Sequence, residues 1–258
     1  MNMLHGDAVA RACLLFTLLT GCSTSDGHGQ APGAAIECIP AATPESPTGF
    51  SLQPFCAPED PGKGNAWFAA SGEVLALTGY AFPPENDSAA AFVDGWDVHF
   101  ERLLTTIDAL TLSENPDQQK GTQLGTGKLV ARANGPWAVD LSHSDASYLT
   151  GKGGGSELAV PIAALNNQNQ NGGGAFATDG TRYAFGFDLI AANRSAQNVN
   201  LDPAALADYQ EMTEKGCTVL YVGSATFKGD PQVEGCVTEA SRGWPQTVSF
   251  RLCFQSPT

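Results

Sequence analysis

No apolar run in this chain approaches the ~20 residues that a membrane-spanning helix requires. The longest, Ala12 to Leu19, stops well short, which excludes a permanent transmembrane helix as its reading. Basic residues are scarce too: 13 Lys and Arg stand against 27 Asp and Glu, a formal net charge of −14. Such a surface repels phosphate backbones, which are gripped by clustered Lys and Arg, so nucleic acid is not expected as a partner. It also disfavours adsorption onto anionic lipid. No His-Glu-x-x-His, Cys-x-x-Cys or Gly-x-Ser-x-Gly motif occurs. The stretch containing Gly127-Lys128 fails as a phosphate loop, because Thr122 stands where glycine is required and Leu129 where Ser or Thr is. In "TGKGGGS", Lys152 is followed by glycine, which fails the same pattern.

What is present begins with "MNMLHGDAVARACLLFTLLTG". A single basic residue, Arg11, precedes a short apolar run and then small residues, the pattern of an export signal. Leu19-Thr20-Gly21-Cys22 resembles the lipobox of bacterial lipoprotein precursors. The resemblance implies that residues 1–21 are a signal peptide removed after Gly21. It also implies that Cys22 receives a diacylglyceryl group on sulfur and that the new amino terminus is acylated with a palmitate-type chain. Ser23, in place of aspartate, implies forwarding to the outer membrane of a bacterial cell envelope. The partner at that end is then the membrane itself, held through lipid. Each buried methylene contributes about 0.8 kcal/mol, so one chain is marginal and several together make a stable anchor.

Residues 22–66 are rich in Gly, Pro, Ser and Ala and carry no period-two or helical pattern, which reads as a tether. Residues 67–258 read as one β-rich domain. An exported chain passes into an oxidising compartment, and beyond Cys22 there are five cysteines to place. Sequence proximity suggests Cys38 with Cys56 and Cys217 with Cys236, although connectivity does not follow from sequence alone. Cys253 is then left unpaired. Because the chain stops five residues later, straight after a strand-like alternation, a missing C-terminal piece is expected.

Along the domain, "EVLALTGYAF" has strand character. "GWDVHFERLLTTIDALTLSE" begins with Trp96, Val98 and Phe100 on one face and Asp97, His99 and Glu101 on the other. Its β-branched residues favour two strands or one bulged strand over a helix. "GKLVARANGPWAVDLS" reads as strand, hairpin-like turn and strand, and "SELAVPIAAL" as an extended segment. "TRYAFGFDLIAA" alternates most strongly, with Tyr183, Phe185, Phe187 and Leu189 together. "NLDPAALADYQEMTEKG" predicts a helix, with Asp202 as its cap, Pro203 in its first turn and Gly216 as its stop. "CTVLYVGSATFKG" and "QTVSFRLCF" complete the strands. Together they predict a mostly β fold, an antiparallel β-sandwich with long loops and one short late helix. In texture the domain is similar to β-rich bacterial surface lipoproteins, a resemblance that implies no activity.

For chemistry, Asp97-x-His99 and His143-x-Asp145 place two imidazoles beside carboxylates at strand spacing. Were the two segments neighbours, Asp97, His99, His143 and Asp145 would converge on a divalent metal such as Zn²⁺ or Cu²⁺. The plainer reading makes them solvated faces of surface strands and turns. A glycan hydrolase would need two acids converging in a cleft. Sequence favours a lipid-anchored binding or structural module with no catalytic residues assigned, its ligand a protein or a glycan. Metal binding and glycan hydrolysis stand as alternatives.

Overall fold

Eighteen consecutive residues, Trp96–Ser113, form one strand around which the rest is organised. The computed structural model describes residues 44–55, 66–84, 86, 95–114, 126–143, 159–165, 182–229 and 245–255. In chain order the elements are β1 (Gln53–Pro54), β2 (Ala66–Ser71), α1 (Glu73–Thr78), β3 (Trp96–Ser113), β4 (Leu129–Ala133) and β5 (Trp137–Asp140). They continue with β6 (Ala159–Leu165), β7 (Ala184–Leu189), β8 (Gln197–Asn198), α2 (Pro203–Lys215), β9 (Val219–Phe227) and β10 (Thr247–Phe254). The fold is mostly β, as expected from the alternation. Eight strands form the main sheet in the order β1-β8-β5-β3-β9-β10, with β4 and β7 also paired to β3. Strands β2 and β6 form a second, antiparallel sheet.

Both edges of β3 are used twice. One edge takes β9 along Trp96 to Thr105 and then β7 along Ile107 to Ser113. The other takes β5 along Leu104 to Ile107 and then β4 along Leu110 to Ser113. Strands β4 and β5 therefore lie end to end along β3. The expected hairpin pairing across Asn134-Gly135-Pro136 does not form, because a Gly-Pro turn that lacks a donor at Pro136 steps the chain sideways instead of folding it back. Asp108 holds that step, its Oδ1 accepting the Gly135 N–H at 2.8 Å. Two of the pairings, β1 with β8 and β5 with β8, are parallel.

A layer packs on each face of the main sheet. Helix α2 covers one, burying Ala205, Leu206, Tyr209 and Met212 against Leu104, Ala138 and Leu220. Its ends are as the sequence predicts: Asp202 accepts the Ala205 N–H at 2.7 Å, and Gly216 takes φ +70°. On the opposite face, Phe68, Ala70, Ile162 and Ala163 of the small sheet pack against Ile107, Leu110, Val130 and Val139.

The structure corrects three further expectations from the sequence. Glu73–Thr78 is a short helix rather than a strand. It is set by the Ser71 hydroxyl accepting the Glu73 N–H and by the bare Gly72, whose Cβ would lie 2.3 Å from that of the buried Ala76. Part of the Gly/Pro-rich stretch that reads as tether belongs to the core: Phe50 and Leu52 are buried beside α2, and Gln53–Pro54 pairs with β8. Cys217 is bonded to Cys253, not to Cys236, and Cys253 is not left over. Cys253 sits opposite Leu220 in the β9–β10 register, three residues from Cys217, and this long-range juxtaposition is invisible to sequence proximity. Cys22, Cys38, Cys56 and Cys236 lie outside the described residues.

Strand β10 is tied to α2 by charge as well. Arg251 donates to Glu211 at 2.6 Å and to Asp208 at 2.6 Å, and Arg102 reaches Asp208 at 3.2 Å. The hydrogen bonds from Arg251 and then Lys215 hold the Glu211 carboxyl below its ordinary range, although partial burial works the other way. A folded-state pKa below the unfolded one makes the unfolded chain bind the extra proton. The stabilisation is therefore complete above the ordinary carboxylate value and is lost as pH falls through the lowered one. Urea unfolding from about pH 6 down to about pH 3 should show a steeper loss of stability in the native chain than in Glu211→Gln. Parallel curves would refute the coupling.

Candidate functional site

The small sheet does not cover the whole of its face of the main sheet. Between them lies a half-open cleft of about 420 Å³, floored by β3 and β9 and walled by β2, β6 and β7. Its lining comes from Phe68 to Ser71, Leu103, Thr105, Ile107, Leu110, Leu141, Ile162, Phe185, Phe187, Leu189, Val219 and Tyr221. Among the described residues, no Asp, Glu, Lys, Arg or His lines it. The Thr105 hydroxyl already donates to the Thr218 carbonyl at 3.3 Å, and the Ser71 hydroxyl accepts the Glu73 N–H at 2.9 Å.

Local irregularities of β3 create this floor. In a regular strand, residues three apart point to opposite faces. Here Leu103, Thr105, Ile107 and Leu110 all line the cleft. The register shift between Asp108 and Thr111, with Ala109 at φ +51°, turns Leu110 back to the side of Ile107. Asp108 stabilises that bulge by accepting the Ala109 N–H at 2.7 Å on the oxygen that also serves Gly135. A second shift between Phe100 and Arg102 turns Leu103 to the face shared by Phe100. Strand β7 can lie against β3 because Gly186 has no side chain; a Cβ there would come 2.8 Å from the Thr111 hydroxyl.

The wall made by β7 is the strongly alternating segment of the sequence. Phe185, Phe187 and Leu189 all turn into the cleft, yet Phe185 and Phe187 remain about half exposed, at 50% and 51%. Phe185 stacks on Phe68 with ring centroids 5.1 Å apart, and the Phe187 ring lies tilted against Phe185 at 5.7 Å. Beyond Tyr221 the apolar face continues through Phe100 at 5.8 Å and Phe254 at 5.5 Å. Large apolar side chains left half in water around a concavity mark a binding surface more often than a packing fault.

The residues singled out for chemistry are placed elsewhere. Asp97 is engaged by Lys228 at 2.9 Å, and this bond, together with the Phe82 N–H, holds its carboxyl below the ordinary range. His99 is exposed on β3 opposite Ser224. His143 hydrogen-bonds through Nδ1 to Asp140 at 3.0 Å, a partner that the spacing argument misses. Asp145 lies outside the described residues. Among the described residues, no three His, Cys, Asp or Glu side chains gather so as to hold a metal ion.

Asp140, Ser142 and His143 do form a close cluster. The Ser142 hydroxyl lies 2.7 Å from Asp140 Oδ1 and 3.1 Å from His143 Nδ1. In a nucleophilic triad, one ring nitrogen faces the acid and the other the hydroxyl. Here Nδ1 meets both, so His143 cannot relay a proton from Ser142 while leaning on Asp140. The cluster instead closes the end of β5, with Asp140 also accepting the Leu103 and Ser142 N–H groups at 3.1 and 2.9 Å.

The fold and the cleft define a β-rich protein with two layers packed on its main sheet and a half-open apolar concavity. No protein-family model matches the chain, and neither a curated protein nor a solved structure matches it.

Proposed function

We propose that this chain is an exported binding module, anchored in a bacterial envelope through lipid on Cys22, that receives its ligand in the cleft between the two sheets. The observation that carries the binding half is the cleft's composition. A concavity of about 420 Å³ with an apolar wall is of the size and character that small ligands occupy. Hydrolysis of a glycan would call for two carboxylates in a cleft, and this lining supplies none among the described residues. The metal reading gains one imidazole held by a carboxylate, His143 on Asp140, and no group of three ligand-type side chains among the described residues. The anchoring half rests on Leu19-Thr20-Gly21-Cys22.

Expression of the full chain with radiolabelled palmitate tests the anchor. The native chain should take up label and sediment with membranes. Cys22→Ala should accumulate as an unlabelled precursor with the leader uncut. Label retained by Cys22→Ala would overturn the assignment.

A further inference from the structure

We infer that the outer edge of β10 is a self-association surface, on which a second copy of this chain adds its own β10 antiparallel about a two-fold axis at Phe250. Strand β10 ends the strand order of the main sheet, and among the described residues no strand pairs with its outer edge. It meets β9 without a register shift, so inward and outward positions alternate strictly. The Gln246 carbonyl accepts the Phe227 N–H at 2.8 Å and the Phe254 carbonyl accepts the Thr218 N–H at 2.7 Å, which turns the even-numbered residues toward β9. The N–H and C=O groups of Thr247, Ser249, Arg251 and Cys253 therefore point outward, and all four residues are exposed.

Such an edge is a template for another strand unless it is blunted by shortness, Lys, Pro or a bulge. The opposite end of the strand order is blunted by length, since β1 has two residues. Strand β10 carries none of these devices. Its one charge, Arg251, is drawn onto α2 by Glu211 and Asp208. Leu252 and Phe254 stay about half exposed beside the edge, apolar surface that a neighbouring strand would cover.

What selects a second copy over a foreign strand is that the edge is complementary to itself along its whole length. Outward residues must face outward residues, so a two-fold axis passes through a residue and not between two. With the axis at Phe250, Thr247 meets Cys253 and Ser249 meets Arg251, and every outward N–H and C=O of the strand has a partner. The other face then sets Phe250 beside Phe250 and Val248 beside Leu252 of the second copy, apolar cross-strand pairs that stabilise a sheet. An axis at Arg251 would put two guanidinium groups directly opposite, which is destabilising. An axis at Ser249 would bring Cys253 opposite Pro245, which has no N–H to give, and one at Leu252 would leave Thr247 beyond the end of the other strand.

The test uses the full chain purified in mild detergent, its mass measured by light scattering over a rising concentration series. The native chain should pass from monomer to dimer and no further. Ser249→Pro removes an outward N–H on an edge strand, where proline is tolerated. It should weaken dimerisation at least about tenfold while leaving the melting temperature nearly unchanged. Ser249→Lys keeps that N–H, sets a cation opposite Arg251 of the second copy and should weaken dimerisation at least about threefold. Oxidative cross-linking of single cysteine substitutions reads the register. Phe250→Cys should cross-link to itself, because the two positions lie about 4.5 Å apart, within the span of a disulfide. Val248→Cys and Leu252→Cys should cross-link when mixed and not singly. A chain that stays monomeric at every concentration would overturn the proposal, as would dimers that survive both Ser249 substitutions. Cross-linking of Leu252→Cys to itself as strongly as Phe250→Cys would also overturn it.

Discussion

Removing the Cys217–Cys253 bond is expected to lower the free energy of unfolding by about 4 kcal/mol. The bond links residues 36 apart in sequence, and in the chain-entropy account a closed loop of that length restricts the unfolded chain by about this amount. Stabilities of ordinary domains are about 5–15 kcal/mol, so the loss is a large fraction of the whole. The effect should be concentrated in the last strand. β10 is hydrogen-bonded to β9 on one side and ends the strand order of the main sheet. Without the bond, it is held to α2 chiefly by Arg251. Urea unfolding of Cys217→Ala/Cys253→Ala against the native chain, both kept oxidised, should show this loss, with hydrogen exchange accelerated first across Thr247 to Phe254. A loss below about 1 kcal/mol would show that the two cysteines are not joined in solution.

Asp140→Ala is expected to cost about 3 kcal/mol or more, because several buried donors lose a charged acceptor at once. The Asp140 side chain is 2% exposed and receives the Leu103 and Ser142 main-chain N–H groups, the Ser142 hydroxyl and His143. Leu103 is also a cleft residue, so the substitution should loosen the floor of the site as it destabilises the fold. Asp140→Asn keeps an acceptor of the same shape and should recover about half of the loss. His143→Ala removes a side chain that is 62% exposed and should change stability by less than about 0.5 kcal/mol. Urea unfolding of the three variants separates these outcomes. If His143→Ala proved as damaging as Asp140→Ala, the imidazole rather than the carboxylate would be the structural centre of the cluster.

The legible part of this protein is local. Period-two alternation marks β3, β7, β9 and β10, and a run of 18 residues that offers helical spacing resolves as one bulged strand, in keeping with its β-branched residues. Asp202, Pro203 and Gly216 delimit α2 because capping depends on the residues at the helix ends and on nothing distant. The cleft is not legible. Phe185, Phe187 and Leu189 are recognisable as one face, but alternation says only that they point together, not whether another layer covers them. The bulges that bring Leu103 and Leu110 to the same side leave no mark in the hydrophobic pattern. Leu110 follows Ile107 at a spacing that suits a helix as well as a bulge.

The acidic balance, the strand-rich class and the ends of the late helix can all be read from the chain as a string of residues. Each depends on composition or on residues within a few positions of one another. Long-range packing was needed to fix which cysteine meets which, whether Glu73–Thr78 coils or extends, that Phe50 and Leu52 leave the tether for the core, and where an apolar face stays open. Those outcomes depend on contacts between residues far apart in the chain, such as Cys217 with Cys253 and Phe68 with Phe185. The free energy of such contacts is set by the packing of whole layers, and no short window of sequence contains it.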